Sequence, residues 1–286
     1  MPTAIELDCL ASRRMGGPVL CLVASCCMGL LARLTRADCE TIYSVEPVAL
    51  PTCPSGNASS GIAYGLGLGW HVVGDYITCF GAGPKAFTWA PDEGFSAATL
   101  PSGFQNSIAT DVTADGQVVG TMFADLVFTF TPFLATGGTA VELELPPTFT
   151  GGWAIAVNDS GQMAGYCESR SSLSACVWID GRPGTLELPV GPSSKATDIN
   201  NLRQVCGWMG VFPSPPWSSS GFVYDGGDVA VIESPIDGAT VETLEINDAG
   251  IVLGRLDVPN SESSGETTLS FTWQRGVLTM IDRRPA

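Results

Sequence analysis

The sequence predicts an all-β protein, specifically a β-propeller of five blades with about 45 residues in each blade. Three observations lead to this fold: a glycine-terminated motif that recurs five times, an aromatic segment after each copy, and turn-forming residues between these segments without helical periodicity. The chain has 286 residues, including 34 Gly and 20 Pro, and 45% of its residues are hydrophobic. It is therefore rich in turns but too apolar to be a disordered polymer.

The first repeated element aligns on its final glycine. The five copies are "YGLGLGWHVVG" ending at Gly74, "TDVTADGQVVG" at Gly120, "IAVNDSGQMAG" at Gly165, "TDINNLRQVCG" at Gly207 and "LEINDAGIVLG" at Gly254. A fixed period of this size indicates supersecondary units that are stacked or closed into a ring. Four short strands fit into each unit, which is the size of one propeller blade.

The second repeated element places two large side chains on either side of a β-forming residue, so both point to one face of a strand. The copies are "FTW" (87–89), "FTF" (128–130), "CVW" (176–178), "FVY" (222–224) and "FTW" (271–273). A short apolar strand, usually followed by Pro, closes each unit, and "SVEPVALP" (44–51) resembles this closing strand ahead of the first unit. The extra strand leaves six blades open, and a β-solenoid is the other structural alternative.

The N-terminal segment has the pattern of an export signal. Arg13 and Arg14 precede the apolar run Met15 to Ala32, which resembles a charged region followed by the hydrophobic region of a signal peptide. We assign residues 1–37 to this signal and 38–286 to one propeller domain. Cleavage after Ala37 would give a free protein, whereas "VASC" resembles a lipobox that would lipidate Cys26. The expected location is extracellular or in the cell envelope, with membrane attachment only through that lipid.

Charge and cysteine usage restrict the partners. The 13 Lys and Arg against 29 Asp and Glu give a net charge of −16, which argues against nucleic acid as a partner. A single histidine, His71, and the absence of a GxSxG motif give no support to a Ser-His-Asp hydrolase. Cys167 and Cys176 flank "ESRSSLSA" and are a candidate disulfide across a hairpin.

An "IND.G" turn, a "GQVVG" strand and an "AFxW" strand, repeated about every 45 residues behind an export signal, resemble the HAF-repeat family of bacterial extracellular proteins. The resemblance covers residues from about Ile62 to Asp282. The His-Ala-Phe tripeptide of the family stands here as Lys85, Ala86 and Phe87. Because repeats define this family, the resemblance implies an extracellular location and a repeat architecture more than an activity.

Two groups of oxygen-bearing residues are candidates for calcium binding. The Asn-Asp turns, such as Asn158 and Asp159, carry suitable ligands, but a tight hairpin demands the same residues, and we favour the turn interpretation. Asp111, Asp198 and Glu245 share one register of the repeat and would approach the central channel together, where like charges attract a cation. Exposed acids at the edge of a strand are the alternative. No other cofactor is expected.

Tryptophans outside the repeated aromatic positions are the candidate ligand contacts. Trp217 lies in the Pro/Ser-rich "FPSPPWSSSG", and Trp153 and Trp208 lie near the repeats. An aromatic side chain exposed on a rigid scaffold can stack on a sugar or on an apolar ligand. The sequence therefore favours a binding or surface-interaction module for carbohydrate or a surface protein. The alternatives are a glycoside hydrolase with a carboxylate pair near the channel and a structural component of the cell envelope.

Overall fold

The computed structural model describes residues 6–7, 48–52, 59–67, 70–78, 82–125, 129–170, 172–189, 191, 193–211, 218–259 and 266–281. In these segments the regular structure consists of β-strands. No helix within them is long and apolar enough to cross a membrane. The predicted lipidation site Cys26, the contact residue Trp217 and the export signal, apart from residues 6–7, lie outside the described residues.

The strands form five antiparallel sheets, each a meander in which consecutive strands pair. The sheets are blades 1 to 5 in chain order. The first three contain β2 (Ser60–Leu66), β3 (Val72–Ile77), β4 (Lys85–Ala90) and β5 (Gly94–Ala97); β6 (Asn106–Val112), β7 (Val118–Phe123), β8 (Thr131–Thr136) and β9 (Thr139–Glu142); and β10 (Gly151–Val157), β11 (Met163–Glu168), β12 (Leu173–Ile179) and β13 (Arg182–Thr185).

Blades 4 and 5 repeat this arrangement. They contain β14 (Ser193–Ile199), β15 (Val205–Val211), β16 (Ser218–Asp225) and β17 (Asp228–Ile232), then β18 (Thr240–Ile246), β19 (Val252–Pro259), β20 (Glu266–Gln274) and β21 (Val277–Met280). The two-residue strand β1 (Glu6–Leu7) pairs in parallel with β2. Five four-stranded units confirm the predicted five-bladed propeller, in which β21 is the outer strand of blade 5.

The recurring final glycine of the motif has a packing cause. Gly165 pairs with Ala154 across β10 and β11, and a Cβ at Gly165 would collide with the carbonyl oxygen of Trp153. Gly120 meets the carbonyl oxygen of Ile108 in the same way. Each innermost strand also has a register shift at the same place, such as that between Ala154 and Ala156. This β-bulge bends each innermost strand and locally interrupts the pairing.

In blade 2 the sequence analysis assigns the second motif to the wrong residues. The sequence predicts "FTF" (128–130) as the third strand, but that strand is β8, where Phe133 pairs with Gly120 as Phe87 pairs with Gly74 in blade 1. Phe133 is fully buried, whereas Phe130 precedes the strand and is partly exposed. Gly120 and Phe133 are 13 residues apart, as are Gly74 and Phe87 in blade 1, so blade 2 keeps the repeat and Phe130 lies ahead of the core position.

Consecutive blades pack through the innermost strand of the later blade, which lies against the first three strands of the earlier one. The junction between blades 3 and 4 buries Ala164, Met209 and Phe222. The described elements of blade 5 and blade 1 do not pack together in this way. Leu244 on β18 is accordingly 38% exposed, whereas Thr197, its counterpart on β14, contacts the Thr243 hydroxyl within a junction.

Candidate functional site

Two of the three acids predicted to bind calcium join neighbouring blades. The Asp111 carboxylate in blade 2 accepts a 2.7 Å hydrogen bond from the Val157 backbone N–H in blade 3. Asp198 in blade 4 accepts one of 2.7 Å from Ile246 N–H in blade 5, and one of 2.6 Å from Ile199 N–H. An ionised acceptor makes these bonds stronger than neutral ones. Both carboxylates therefore accept from backbone donors of the next blade, close to the bulges of its innermost strand.

Within the described part of the chain, no group of three or more His, Cys, Asp and Glu side chains could hold a metal ion. Glu245, the third predicted ligand, is partly buried at the corresponding place in blade 5. The three acids therefore do not form such a group together. Calcium binding at Asp111, Asp198 and Glu245 stays a prediction, and their shared register is accounted for in two of the three cases by inter-blade hydrogen bonds.

The Asn-Asp turns form a second link between blades. Asn158 Oδ1 accepts from the backbone N–H groups of Ser160 and Gln162, both at 3.0 Å, which is the local bonding of an Asx turn. Its Nδ2 donates to the Asn200 carbonyl in the next blade, and Asn200 donates to the Asn247 carbonyl, both at 2.9 Å. The turns hold their own hairpins and also connect blades 3, 4 and 5.

The two cysteines that the sequence offers as a disulfide lie on neighbouring strands of blade 3. Cys167 on β11 and Cys176 on β12 form a disulfide, with their Cα atoms 5.8 Å apart. Both are fully buried on the face of blade 3 that contributes to a core with Trp178. The bridge joins the two central strands of this blade. Tyr166 and Glu168, on either side of Cys167, consequently belong to a covalently braced strand.

A different set of residues has the character of a binding site. At one register of each blade, the innermost strand and the second strand carry a cross-strand pair, and we call these ten residues the variable row. The pairs are Ile62 with Asp75, Ile108 with Thr121, Trp153 with Tyr166, Lys195 with Trp208, and Glu242 with Arg255. Paired residues share one face of a sheet. In blades 1 and 2 the row pairs an isoleucine with a polar residue, and in blades 3 to 5 it becomes aromatic and charged.

Aromatic rings form the blade 3 part of the row. Trp153 stacks on Tyr166 with ring centroids 6.3 Å apart and an interplanar angle of 14°, and Phe130 of blade 2 lies 5.1 Å from Trp153. The Trp153 ring remains partly exposed. Its indole Nε1–H is buried without a hydrogen-bond acceptor among the described residues. Most buried polar groups are hydrogen-bonded, so this donor is unusual.

Lys195 connects the aromatic part to the charged part. Its ammonium nitrogen lies 5.4 Å from the centroid of the Tyr166 ring, a cation–π contact between blades 4 and 3. Trp208 pairs with Lys195 across β14 and β15 and is also partly exposed. Two of the three predicted contact tryptophans, Trp153 and Trp208, therefore flank the Tyr166–Lys195 contact.

Blade 5 completes the row with an ion network. Arg255 Nη2 lies 2.6 Å from Glu242 Oε2, and its Nε lies 3.4 Å from Asp257 Oδ2. The Thr268 hydroxyl donates to Asp257 at 2.7 Å. Arg255 is therefore held by two carboxylates, with a hydroxyl supporting one of them.

Partial burial shifts the pKa values of three groups in and beside the row. Burial lowers the pKa of Lys195, and the negative charge of Glu242 opposes this effect. Burial also raises the pKa of Glu168. It raises the pKa of Tyr166 as well, with a further contribution from the charge of Glu168. All three shifts arise from groups at the junction of blades 3 and 4 or beside it, whereas Arg255 in blade 5 is 46% exposed.

The sequence interpretation missed Tyr166, Lys195, Glu242 and Arg255. Each occupies an ordinary strand position, so no local motif marks it. The available signal was the alignment of the repeats, because Tyr166 stands where other blades have Asp75, Thr121, Trp208 and Arg255. The core residues recur from blade to blade, whereas the residue at this register differs in every blade. The fold therefore does not require a particular side chain there.

Comparison with known proteins yields matches only among solved structures, since no protein-family model and no curated protein matches the chain. A putative TolB from Agrobacterium tumefaciens is 10% identical with a TM-score of 0.50, over 73% of this chain and 76% of that one. The β-propeller domain of the Trilobed protease from Pyrococcus furiosus is 14% identical with a TM-score of 0.49, over 75% and 66% of the two chains. The likeness is one of fold. The first of these matches supports the propeller architecture.

Proposed function

We propose that this protein is an exported binding module that holds a carbohydrate or a surface protein at the variable row of blades 3 to 5. Three features support the proposal: the partly exposed Trp153 and Trp208, the shielded Tyr166–Lys195 contact, and the buried Trp153 N–H without an acceptor among the described residues. Rigid strands carry all of these groups, which favours a preformed site.

The observation that carries the proposal is the contrast between this register and the rest of the repeat. The neighbouring register of the second strand is uniformly apolar, with Val73, Val119, Ala164, Cys206 and Leu253. The row, by contrast, places a Trp, a Tyr, a Lys and an Arg on successive blades. Trp, Tyr and Arg are the side chains enriched among energetically dominant interface residues.

Export and membership of the HAF-repeat family belong to the same proposal. The charged and apolar N-terminal pattern supports export, and the five motif copies support the family resemblance. A disulfide between Cys167 and Cys176 agrees with an oxidising compartment. Lipidation at Cys26 would keep the module at the cell envelope, and cleavage after Ala37 would release it.

Binding to arrayed glycans and to purified envelope proteins tests the proposal. Trp153→Ala should weaken whatever binding the wild type shows by about tenfold or more, and Lys195→Met should weaken it as well. Matched controls are Trp70→Ala, an exposed tryptophan in the turn at the other end of a blade, and Lys85→Met, an exposed lysine on β4. Equal loss in the controls, or retention in the row variants, would contradict the proposal.

A further inference from the structure

We infer that the variable row takes an uncharged oligosaccharide rather than an acidic one. The inference rests on the proposed function and deepens it by specifying the class of ligand. It follows from the charges, the hydrogen-bonding groups and the ring faces that blades 3 to 5 bring together.

The two cations of the row already have partners within the protein. Arg255 is held between Glu242 and Asp257. Lys195 has the Tyr166 ring against its ammonium group, and its pKa responds to the charge of Glu242. A carboxylate or sulfate on a ligand would have to compete with these groups for either cation. Truncating or displacing one member of a close charge pair is costly because the other is left unpaired.

The carboxylates around the row oppose an anion further. Glu168 lies close enough to Tyr166 to raise the pKa of its hydroxyl group, and Glu242 and Asp257 lie beside Arg255. With Lys195 and Arg255, these three acids give the region a net charge of about −1, and the whole chain has a net charge of −16. A polyanionic chain would therefore be repelled both at the site and at long range.

The same groups fit the hydroxyls of a neutral sugar. A hydroxyl both donates and accepts, and carboxylates such as Glu168 and Glu242 have spare acceptor positions while the Lys195 ammonium has spare N–H donors. The partly exposed Trp153 and Trp208 rings offer flat apolar surface for the C–H faces of sugar rings. Because these tryptophans lie on different blades, the row suits a chain of several sugar units.

The test is calorimetric titration of the full protein with neutral hexamers (cellohexaose, chitohexaose and maltohexaose) and acidic ones (oligogalacturonate and oligomannuronate), at low salt and at high salt. We expect at least one neutral hexamer to bind, with an affinity that changes less than about twofold with salt, since no ion pair with the ligand forms. Trp153→Ala should weaken binding by about tenfold or more, and Glu242→Gln by about threefold to tenfold. Trp70→Ala should leave it unchanged. The acidic hexamers should not bind.

Two results would overturn this inference while leaving the proposed function in place. One is salt-sensitive binding of an acidic hexamer that Lys195→Met abolishes and that the Glu168→Gln/Glu242→Gln double variant strengthens. The other is binding of a purified envelope protein, lost in Trp153→Ala, with no hexamer bound. If Trp153→Ala matches the wild type toward every glycan and protein while keeping its fold by circular dichroism, both the inference and the proposed function are wrong.

Discussion

Asp198 on the innermost strand of blade 4 accepts a 2.7 Å hydrogen bond from the backbone N–H of Ile246 on the innermost strand of blade 5. The same carboxylate accepts from Ile199 N–H at 2.6 Å and is 1% exposed. One side chain thus satisfies amide donors of two blades where a bulge disturbs the pairing. An acid that the sequence suggested for a metal acts as a connection between sheets.

Replacing this carboxylate should destabilise the fold. Asp198→Ala leaves two buried amides without their acceptor, and we expect the free energy of unfolding to fall by about 2–4 kcal/mol. Asp228→Ala, at an exposed acid on β17, is the control and should change it by less than about 0.5 kcal/mol. Urea denaturation followed by circular dichroism measures both. Equal stability of the two variants would show that the inter-blade bond contributes little.

Asp75 in the blade 1 part of the row should make stability depend on pH. Burial raises the pKa of this carboxyl, against the effect of its hydrogen bond with Tyr64. The folded state therefore favours the protonated form, and stability is lost as pH rises from the unfolded pKa through the folded one. Asp75→Asn should raise the melting temperature relative to wild type at pH 7, and the difference should vanish near pH 3. A variant less stable at pH 7 would contradict this account.

Lys195 should lower the stability of the fold at neutral pH, although the proposed site uses it for binding. Burial lowers its pKa, so the cost of the shielded ammonium is present at neutral pH and disappears as pH rises toward the pKa of the unfolded chain. Lys195→Met keeps the apolar stem and should melt at a higher temperature at pH 7, with the difference shrinking by pH 10. Scanning calorimetry across this range measures the change. A lower melting temperature at pH 7 would mean that the contacts with Tyr166 and Glu242 outweigh the burial.

The disulfide should stabilise blade 3. Cys167 and Cys176 are 9 residues apart. Closing a loop of that size lowers the entropy of the unfolded chain, which raises the free energy of unfolding by about 2–3 kcal/mol. The Cys167→Ala/Cys176→Ala double variant should lose about that much, measured by urea denaturation. Reductant should destabilise the wild type by more than it destabilises the double variant. Equal sensitivity of both proteins would show that this bridge does not carry the effect.

The fold was largely readable from the sequence because each blade repeats the same local constraints. Gly165 must lack a side chain where it meets the Trp153 carbonyl, and Asn158 must bond its own turn, so both features recur with the period. The assignment was wrong in blade 2 because "FTF" imitates the aromatic motif, whereas Phe133, as far from Gly120 as Phe87 is from Gly74, fills the core position.

The site was readable only in part. Trp153 and Trp208 stood out as tryptophans beyond the repeated positions, but their connection through Tyr166 and Lys195 depends on how blade 4 packs on blade 3. That junction is a tertiary contact between residues 29 positions apart, with no local signature. For the acids, the shared register could be seen in the sequence. Their role could not, because Asp111 and Asp198 accept hydrogen bonds from backbone N–H groups on the next blade.

The central claim is that ligand is held at the variable row of blades 3 to 5, and the tryptophan indole N–H signals of the isotope-labelled protein test it most directly. Titration with the ligand found by binding assays should shift the Trp153 and Trp208 signals. The signals of Trp178 and Trp273, which are buried in blade cores, should stay in place. Saturating ligand that leaves Trp153 and Trp208 unchanged and shifts Trp70 instead would contradict the account.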